Sequence, residues 1–326
     1  MGAVTKDETK PIQPPTESLT RKRVPILGAP TAAGKTAAAL HLAADLPLEV
    51  ISADAMMVYH GLDIGTAKPT PAEQARLPHH LIDVVEPEES FSVADFVRLA
   101  EVAIADVWRR GNVPLVVGGT GFYIRALSTG LPTVPAADEQ AQAEVWARLE
   151  REGLDVLVDE LAAASPADAT RAERNPRRVV RALEILKRTG RAPASFPSTQ
   201  PAFLYDKVVL LPSLEVLRPR IALRTEIMFN RGLVEEVAAL QRQHPAQTTA
   251  RQAIGYKEVG AFLRGDLTLA EANAAVTLAT VQYAKRQRTW FRKERGANVY
   301  EAVATDVLGE LRVWLEGWVG SGGERG

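Results

Sequence analysis

Residues 29–36 read APTAAGKT, a phosphate-binding loop with Ala29 at the position of the pattern's first glycine. An apolar run at 24–27 leads into it, and an Ala/Leu-rich stretch of helical character at 37–46 follows. A strand that turns into a helix through such a loop brings backbone amides and a helix N-terminus to one point, where they hold anionic oxygens. Gly34 lets the backbone curl, Lys35 neutralises phosphate charge, and Thr36 offers a hydroxyl to Mg2+. Ala29, Pro30, Thr31, Ala32, Ala33, Gly34, Lys35 and Thr36 are the expected diphosphate- or nucleotide-binding residues, with Thr36 the expected metal ligand.

The pattern around the loop is that of a parallel sheet. Further strands are expected at 49–52, ending near Asp54, and at 113–117, ending in Gly118-Gly119-Thr120. Between them, 91–110 has helical spacing, with Ser92 placed to cap it. Strands alternating with helices argue for βαβ units. From about Pro132 the chain turns Ala/Glu/Leu-rich, and helices are expected over 136–164 and from Asn175-Pro176 to Gly190. A late strand at 207–211 returns to the sheet, followed by helices at 221–243, 253–263 and 269–293. The expected fold is α/β: a P-loop-type parallel sheet flanked by helices, with an all-helical insertion and a helical C-terminal part. The expected boundaries are a disordered lead-in at 1–23, a core at 24–131 and 202–315, and an insertion at 132–201.

The 326 residues suffice for one large or two modest domains. No apolar run approaches the roughly 20 residues of a membrane helix, and no secretory leader is legible at the N-terminus. The absence of cysteine excludes disulfides and thiolate zinc sites and fits a reducing cytoplasm. A net charge of −1 means that any nucleic-acid contact must come from local patches.

An ordinary P-loop ATPase holds its metal partly through an acid at a second strand's end. Here Gly118, Gly119 and Thr120 end that strand, and the well-placed acid is Asp54. Its carboxylate suits a metal-side ligand, a general base or a turn former. The loop at 63–69, DIGTAKP, is either a lid over the phosphates or an ordinary turn. Two basic stretches stand out: Arg171, Arg174, Arg177, Arg178, Arg181, Lys187, Arg188 and Arg191, and then Lys285, Arg286, Arg288, Arg292, Lys293 and Arg295 interleaved with Tyr283, Trp290 and Phe291. Each reads as a solvated helix face or as a phosphate-contacting, base-stacking surface; two in a near-neutral chain favour an RNA-sized polyanion. Arg220 and Arg224, one turn apart, suit a diphosphate clamp.

In order, PTAAGKT, SADAMMVYHGLDIGTAKP, HHLIDV, FSVADF, PLVVGGTGFYIRAL, NPRRVVRALEI, QAIGYKE and AKRQRTWFR resemble the bacterial tRNA dimethylallyltransferase family across 24–295. The resemblance implies a P-loop kinase-like core and an insertion that grips the anticodon stem-loop. It implies transfer of a dimethylallyl group from dimethylallyl diphosphate to N6 of the adenine 3′ of the anticodon, with Mg2+, in a cytoplasmic monomer. Asp54 matches the family's acid and is the expected general base, with Thr120, Lys35 and Thr36 completing the catalytic set. Asp54, Ala55, Met56, Met57, Thr120, Arg177, Arg178, Val179, Val180, Arg181, Tyr256 and Lys257 match segments expected to meet tRNA. The chain departs from the pattern at Ala29, at Ala55 (where a serine usually follows the acid) and at Gln142, where the family often has a basic residue. Three other readings stay open at this level: a free-adenylate prenyltransferase, a small-molecule P-loop kinase, and a tRNA-binding protein without catalysis.

Overall fold

The structure is a computed structural model that describes residues 22–247 and 249–319. The expected lead-in lies almost wholly outside them. The chain divides into two compact units, one running to Ser128 and resuming at Ala202, the other Thr129–Pro201.

The first unit opens with β1 (Arg23–Gly28), α1 (Lys35–Leu42), β2 (Leu48–Ala53), α2 (Pro71–Arg76), β3 (His79–His80), α3 (Val93–Arg109), β4 (Val113–Gly118) and α4 (Gly121–Thr129). The second unit holds α5 (Glu139–Glu152), α6 (Leu154–Ala164), α7 (Pro166–Ala172) and α8 (Pro176–Thr189). The first resumes with β5 (Leu204–Leu210), α9 (Leu214–Asn230), α10 (Leu233–Gln243), α11 (Tyr256–Leu263), α12 (Leu269–Phe291), β6 (Ala297–Tyr300) and α13 (Leu308–Glu316).

Among the described residues the sheet has six strands in the order β3-β2-β4-β1-β5-β6, every neighbouring pair parallel. The central strands β2 and β4 are buried along their whole length, as parallel strands covered on both faces must be. With β4 between β1 and β2, the carboxyl ends of these three strands sit side by side. Those ends carry the P-loop, Asp54 and Gly118-Gly119-Thr120, so the topology alone gathers the three motifs. The core beneath them runs from Ile26 and Ile51 to Phe96, Ile104 and Phe291, each fully buried. Ser92 caps α3 in a reciprocal arrangement with Asp95, as its position suggested.

Two expected helices have different bounds. The stretch at 136–164 is two helices broken at Gly153, whose φ of 84° is easily reached without a β-carbon. The stretch at 221–243 is likewise two, broken where Gly232 takes a φ of 98°. Its first helix begins earlier, at a Ser213 cap, and carries Pro219 inside it. The short strands β3 and β6 were not legible: one has two residues, the other half-exposed residues after a basic stretch.

In the second unit Val145, Leu157, Leu161, Val179, Val180 and Leu183 form a separate apolar core. Asn175 caps α8 with Pro176 behind it, and Gly190 ends it in the left-handed region.

Candidate active site

The P-loop lies against a cleft of about 870 Å3 in the first unit. Thr31, Ala32, Gly34, Lys35 and Thr36 line it, whereas Ala29 and Ala33 are buried behind them. The backbone reaches its curl by placing Ala32 at φ 65° and Gly34 at φ 90°. Lys35 Nζ donates to the carbonyls of Ala29 (2.9 Å) and Pro30 (3.1 Å), tying the side chain across its own loop. Burial brings its pKa down to about 8; the Asp54 carboxylate opposes this and the Arg224 charge adds to it. Arg220 Nε donates to Ala32 O at 2.8 Å, and an Arg224 Nη donates to Thr31 Oγ1. The two arginines therefore converge on the loop from one face of α9, as a clamp requires. Burial lowers the Arg224 pKa, with Asp54 opposing.

Asp54 begins the turn after β2 and also lines the cleft. Its Oδ1 accepts from the amides of Met56 (2.9 Å) and Met57 (3.4 Å). The turn-forming reading is thus correct for one oxygen; Oδ2 accepts no hydrogen bond from the described residues. Thr120 holds this turn in place: its amide donates to Ala53 O (3.2 Å) and its Oγ1 accepts from Ala55 N (3.1 Å).

The missing strand-end acid has a steric explanation. A β-carbon on Gly118 would lie 2.2 Å from Ala53 O, and one on Gly119 would lie 2.4 Å from Gln287 Nε2. There is no room for a carboxylate there. Instead Gln287 bridges the two loops: its Oε1 accepts from Thr31 N at 2.9 Å and its Nε2 donates to Gly119 O at 2.9 Å. Gln287 was missed in the sequence because it sits amid the basic residues of AKRQRTWFR. Its signal was the i, i+4, i+8 set Tyr283, Gln287, Phe291 on one helix face. Tyr283 also lines the cleft, and burial, with the Asp54 charge nearby, raises its pKa to about 12.

Several expected residues have other surroundings. Lys68 is buried, 2.6 Å from Asp63 and 2.5 Å from Asp83, and donates to Tyr59 O. Its charge is committed to the loop's own fold, so it is no free phosphate ligand. Tyr256 is 2% exposed and donates to Glu236, so its ring is not offered to a macromolecule; Lys257 beside it is exposed. Val179 and Val180 are buried in the second unit's core, which leaves the arginines as that segment's outward groups. Of these, Arg177 is exposed with no ion pair among the described residues, and Arg178 is exposed and paired with Glu173 at 2.7 Å. Arg181 is half-buried and bound to the wholly buried Glu184, which also holds Arg188. Arg174 precedes α8 and does not share its face.

A metal has a modest place here. No group of three or more His, Asp or Glu among the described residues forms a cation cage. Thr36, at the N-terminus of α1, lines the cleft. A single hydroxyl beside a phosphate cradle suits Mg2+, which keeps waters and is usually shared with substrate phosphates.

Comparison with known proteins places the chain among relatives of one kind. The IPP transferase family model matches residues 57–294, and the isopentenyl transferase model matches 22–83. The tRNA dimethylallyltransferase of Thermus thermophilus is 57% identical over 277 residues, covering 85% of this chain and 92% of that protein. The enzyme of the same name from Deinococcus radiodurans is 48% identical over 297 residues, covering 90% and 96%. The crystal structure of the full-length tRNA isopentenylpyrophosphate transferase from Bacillus halodurans superposes with a TM-score of 0.66 at 37% identity, covering 93% of this chain and 98% of that one. A eukaryotic dimethylallyltransferase described as acting on tRNA superposes at 0.71 and 27% identity, covering 90% and 77%. With its P-loop, its carboxylate at the end of β2 and its arginine pair in a chain that matches such relatives over most of its length, the protein belongs to the tRNA dimethylallyltransferase (IPP transferase) family.

Proposed function

We propose that this chain transfers the dimethylallyl group of dimethylallyl diphosphate to N6 of the adenine 3′ of a tRNA anticodon, with the residues of the cleft in the following roles. The observation that carries the assignment is the placement of a carboxylate oxygen, without a partner among the described residues, beside a phosphate cradle that lacks the strand-end acid of a hydrolase.

The exocyclic N6 is a weak nucleophile because its lone pair is delocalised into the ring. The allylic carbon is a good electrophile because its developing positive charge is spread over the double bond. In the transfer the N6 lone pair forms a bond to C1, the C1–O bond breaks, and diphosphate leaves with the bonding pair. The N6 proton passes to Asp54, the general base, whose Oδ1 is fixed by two amides while Oδ2 stays free. Thr31 to Thr36, Arg220 and Arg224 hold the departing anion, stabilising charge as it develops. Mg2+ bound by Thr36 and the diphosphate oxygens would neutralise part of that charge. Lys35 turns from its loop carbonyls to the phosphates. Thr120 fixes the Asp54 turn against the target base, and Tyr283 and Gln287 line the approach. The target adenine leaves its stack to reach the cleft. Arg177 and Arg178 with Lys257 are the proposed tRNA contacts, the Asp54 to Met57 turn meets the extruded nucleotide, and the Thr129–Pro201 unit is the proposed stem-loop-binding part. The enzyme works as a monomer in the cytoplasm.

The test is to incubate the protein with Mg2+, dimethylallyl diphosphate and an anticodon stem-loop bearing adenines on the 3′ side of the anticodon, then to sequence the RNA by tandem mass spectrometry. The expected product carries one dimethylallyl unit on the adenine next to the anticodon. Unmodified RNA from a folded protein overturns the proposal, and phosphorylation of a small molecule with ATP would favour the kinase reading.

A further inference from the structure

The tyrosine of the QAIGYKE motif is buried, so its place in the molecule is internal. Tyr256 Oη donates to Glu236 Oε1 at 2.5 Å, and the same carboxylate accepts from three consecutive amides of the DIGTAKP loop: Asp63 N (3.1 Å) and Ile64 N (2.7 Å) on Oε2, and Gly65 N (3.1 Å) on Oε1. One carboxylate thus collects four donors, three of them from a loop some 170 residues away in sequence. Gly65 is where the ring meets the loop: a β-carbon there would stand 2.4 Å from Tyr256 Cε2. The loop held in this way lines the cleft through Ile64, Thr66, Ala67 and Pro69.

We propose that Glu236 and Tyr256 form a latch that seats the 63–69 loop as one wall of the prenyl diphosphate cleft, making both of them positioning residues for the transfer. The proposal rests on the prenyltransferase reading above for its substrate. A half-buried carboxylate bound to four donors is stable only while the donors remain in place, because removing any of them leaves charge uncompensated. The loop therefore has one favoured seat rather than a range of them. Wall residues held in one position restrict the bound substrate to conformations that can react, and a misplacement of about 1 Å can lower rate by roughly a hundredfold. Lys68 anchors the far end of the loop separately, to Asp63, Asp83 and Tyr59 O, and reaches neither α10 nor α11, so the 63–65 end depends on Glu236.

The test uses Tyr256→Phe, which keeps the ring and removes the hydroxyl, together with Glu236→Gln and the double variant, each in the full chain. Amide exchange at 63–65 is measured first, with no substrate present. The expected result is faster exchange in that loop with β1, β2 and β4 as protected as in the parent. Steady-state kinetics with dimethylallyl diphosphate should then show KM for the diphosphate raised about tenfold, binding of the RNA stem-loop unchanged, and a double variant no worse than the worse single one. Unchanged exchange at 63–65 in Tyr256→Phe overturns the latch. So does a KM equal to the parent's in a variant of parental thermal stability. Uniform loss of protection marks the tyrosine as merely part of the core and also overturns it. If the parent itself transfers no prenyl group, the function proposal fails while the exchange result still decides the latch.

Discussion

Lys35 and Asp54 share the wall of the phosphate cradle, and the free protein keeps the lysine busy with its own loop. Its pKa of about 8 against an ordinary 10.5 means that folding disfavours the charged ammonium. Between those two values the unfolded chain holds a proton that the folded chain does not, so this group's contribution to stability rises with pH across the window and is at its most unfavourable below it. An arriving diphosphate reverses the preference. Binding of dimethylallyl diphosphate above about pH 8 is expected to take up close to one proton, and affinity to fall as pH rises through that value. Calorimetry in buffers of differing ionisation heat reads this directly; the same apparent enthalpy in each would contradict it. Asp54→Asn retains the turn's acceptor oxygen and removes the base. Single-turnover transfer should slow by about 10²–10⁴ while RNA affinity is nearly unchanged. Abolished RNA binding with an unaltered rate would reassign the residue to recognition.

At the scale of elements, α12 organises the site from behind. Tyr283, Gln287 and Phe291 lie along one face, and Phe291 packs so closely under β1 that a β-carbon on Gly28 would stand 2.7 Å from its ring. Gln287→Leu removes both bridges, leaving the Thr31 amide and the Gly119 carbonyl without that partner. A loss of about 1–3 kcal/mol in unfolding free energy is expected, together with a raised KM for the prenyl diphosphate. Chemical denaturation and steady-state kinetics check the two parts; a variant with parental stability and KM would show that the bridge is dispensable. The legibility of these elements in the sequence was uneven for a physical reason. The P-loop, the Ser92 and Asn175 caps and the four main strands announce themselves through local rules of spacing and capping. Gln287 and the seating of the 63–65 amides on Glu236 depend on pairings across roughly 170 to 260 residues, which periodicity does not encode. The continuation through Pro219 was missed because local propensity gave way to tertiary packing, whereas the break at Gly232 has a local cause, a glycine free to take positive φ, that the helical spacing on either side masked.

On the scale of the whole molecule neither unit carries a large net charge, and Thr129–Pro201 has 10 Lys and Arg against 11 Asp and Glu. The near-neutral total hides the exposed Arg177 and Arg178 on α8, whereas Arg181 and Arg188 are committed to Glu184. Changing Arg177 and Arg178 to glutamine should weaken stem-loop binding and reduce the slope of log affinity against log salt by roughly one for each phosphate no longer neutralised. Arg181→Gln should instead lower the stability of the Thr129–Pro201 unit, since it strips a partner from a fully buried carboxylate. Filter binding across a salt series distinguishes the two, and an unchanged slope in the double variant would return those arginines to an ordinary solvated face.

These scales meet at the P-loop, proposed to cradle a leaving group. The most direct measurement is the stoichiometry of diphosphate released per dimethylallyl unit gained by RNA, followed in one reaction with and without the stem-loop. The prediction is a ratio near one, with negligible release when RNA is absent and no hydrolysis of ATP offered in place of the prenyl donor. Release of phosphate or diphosphate uncoupled from RNA modification would contradict it and make the cleft a hydrolytic one.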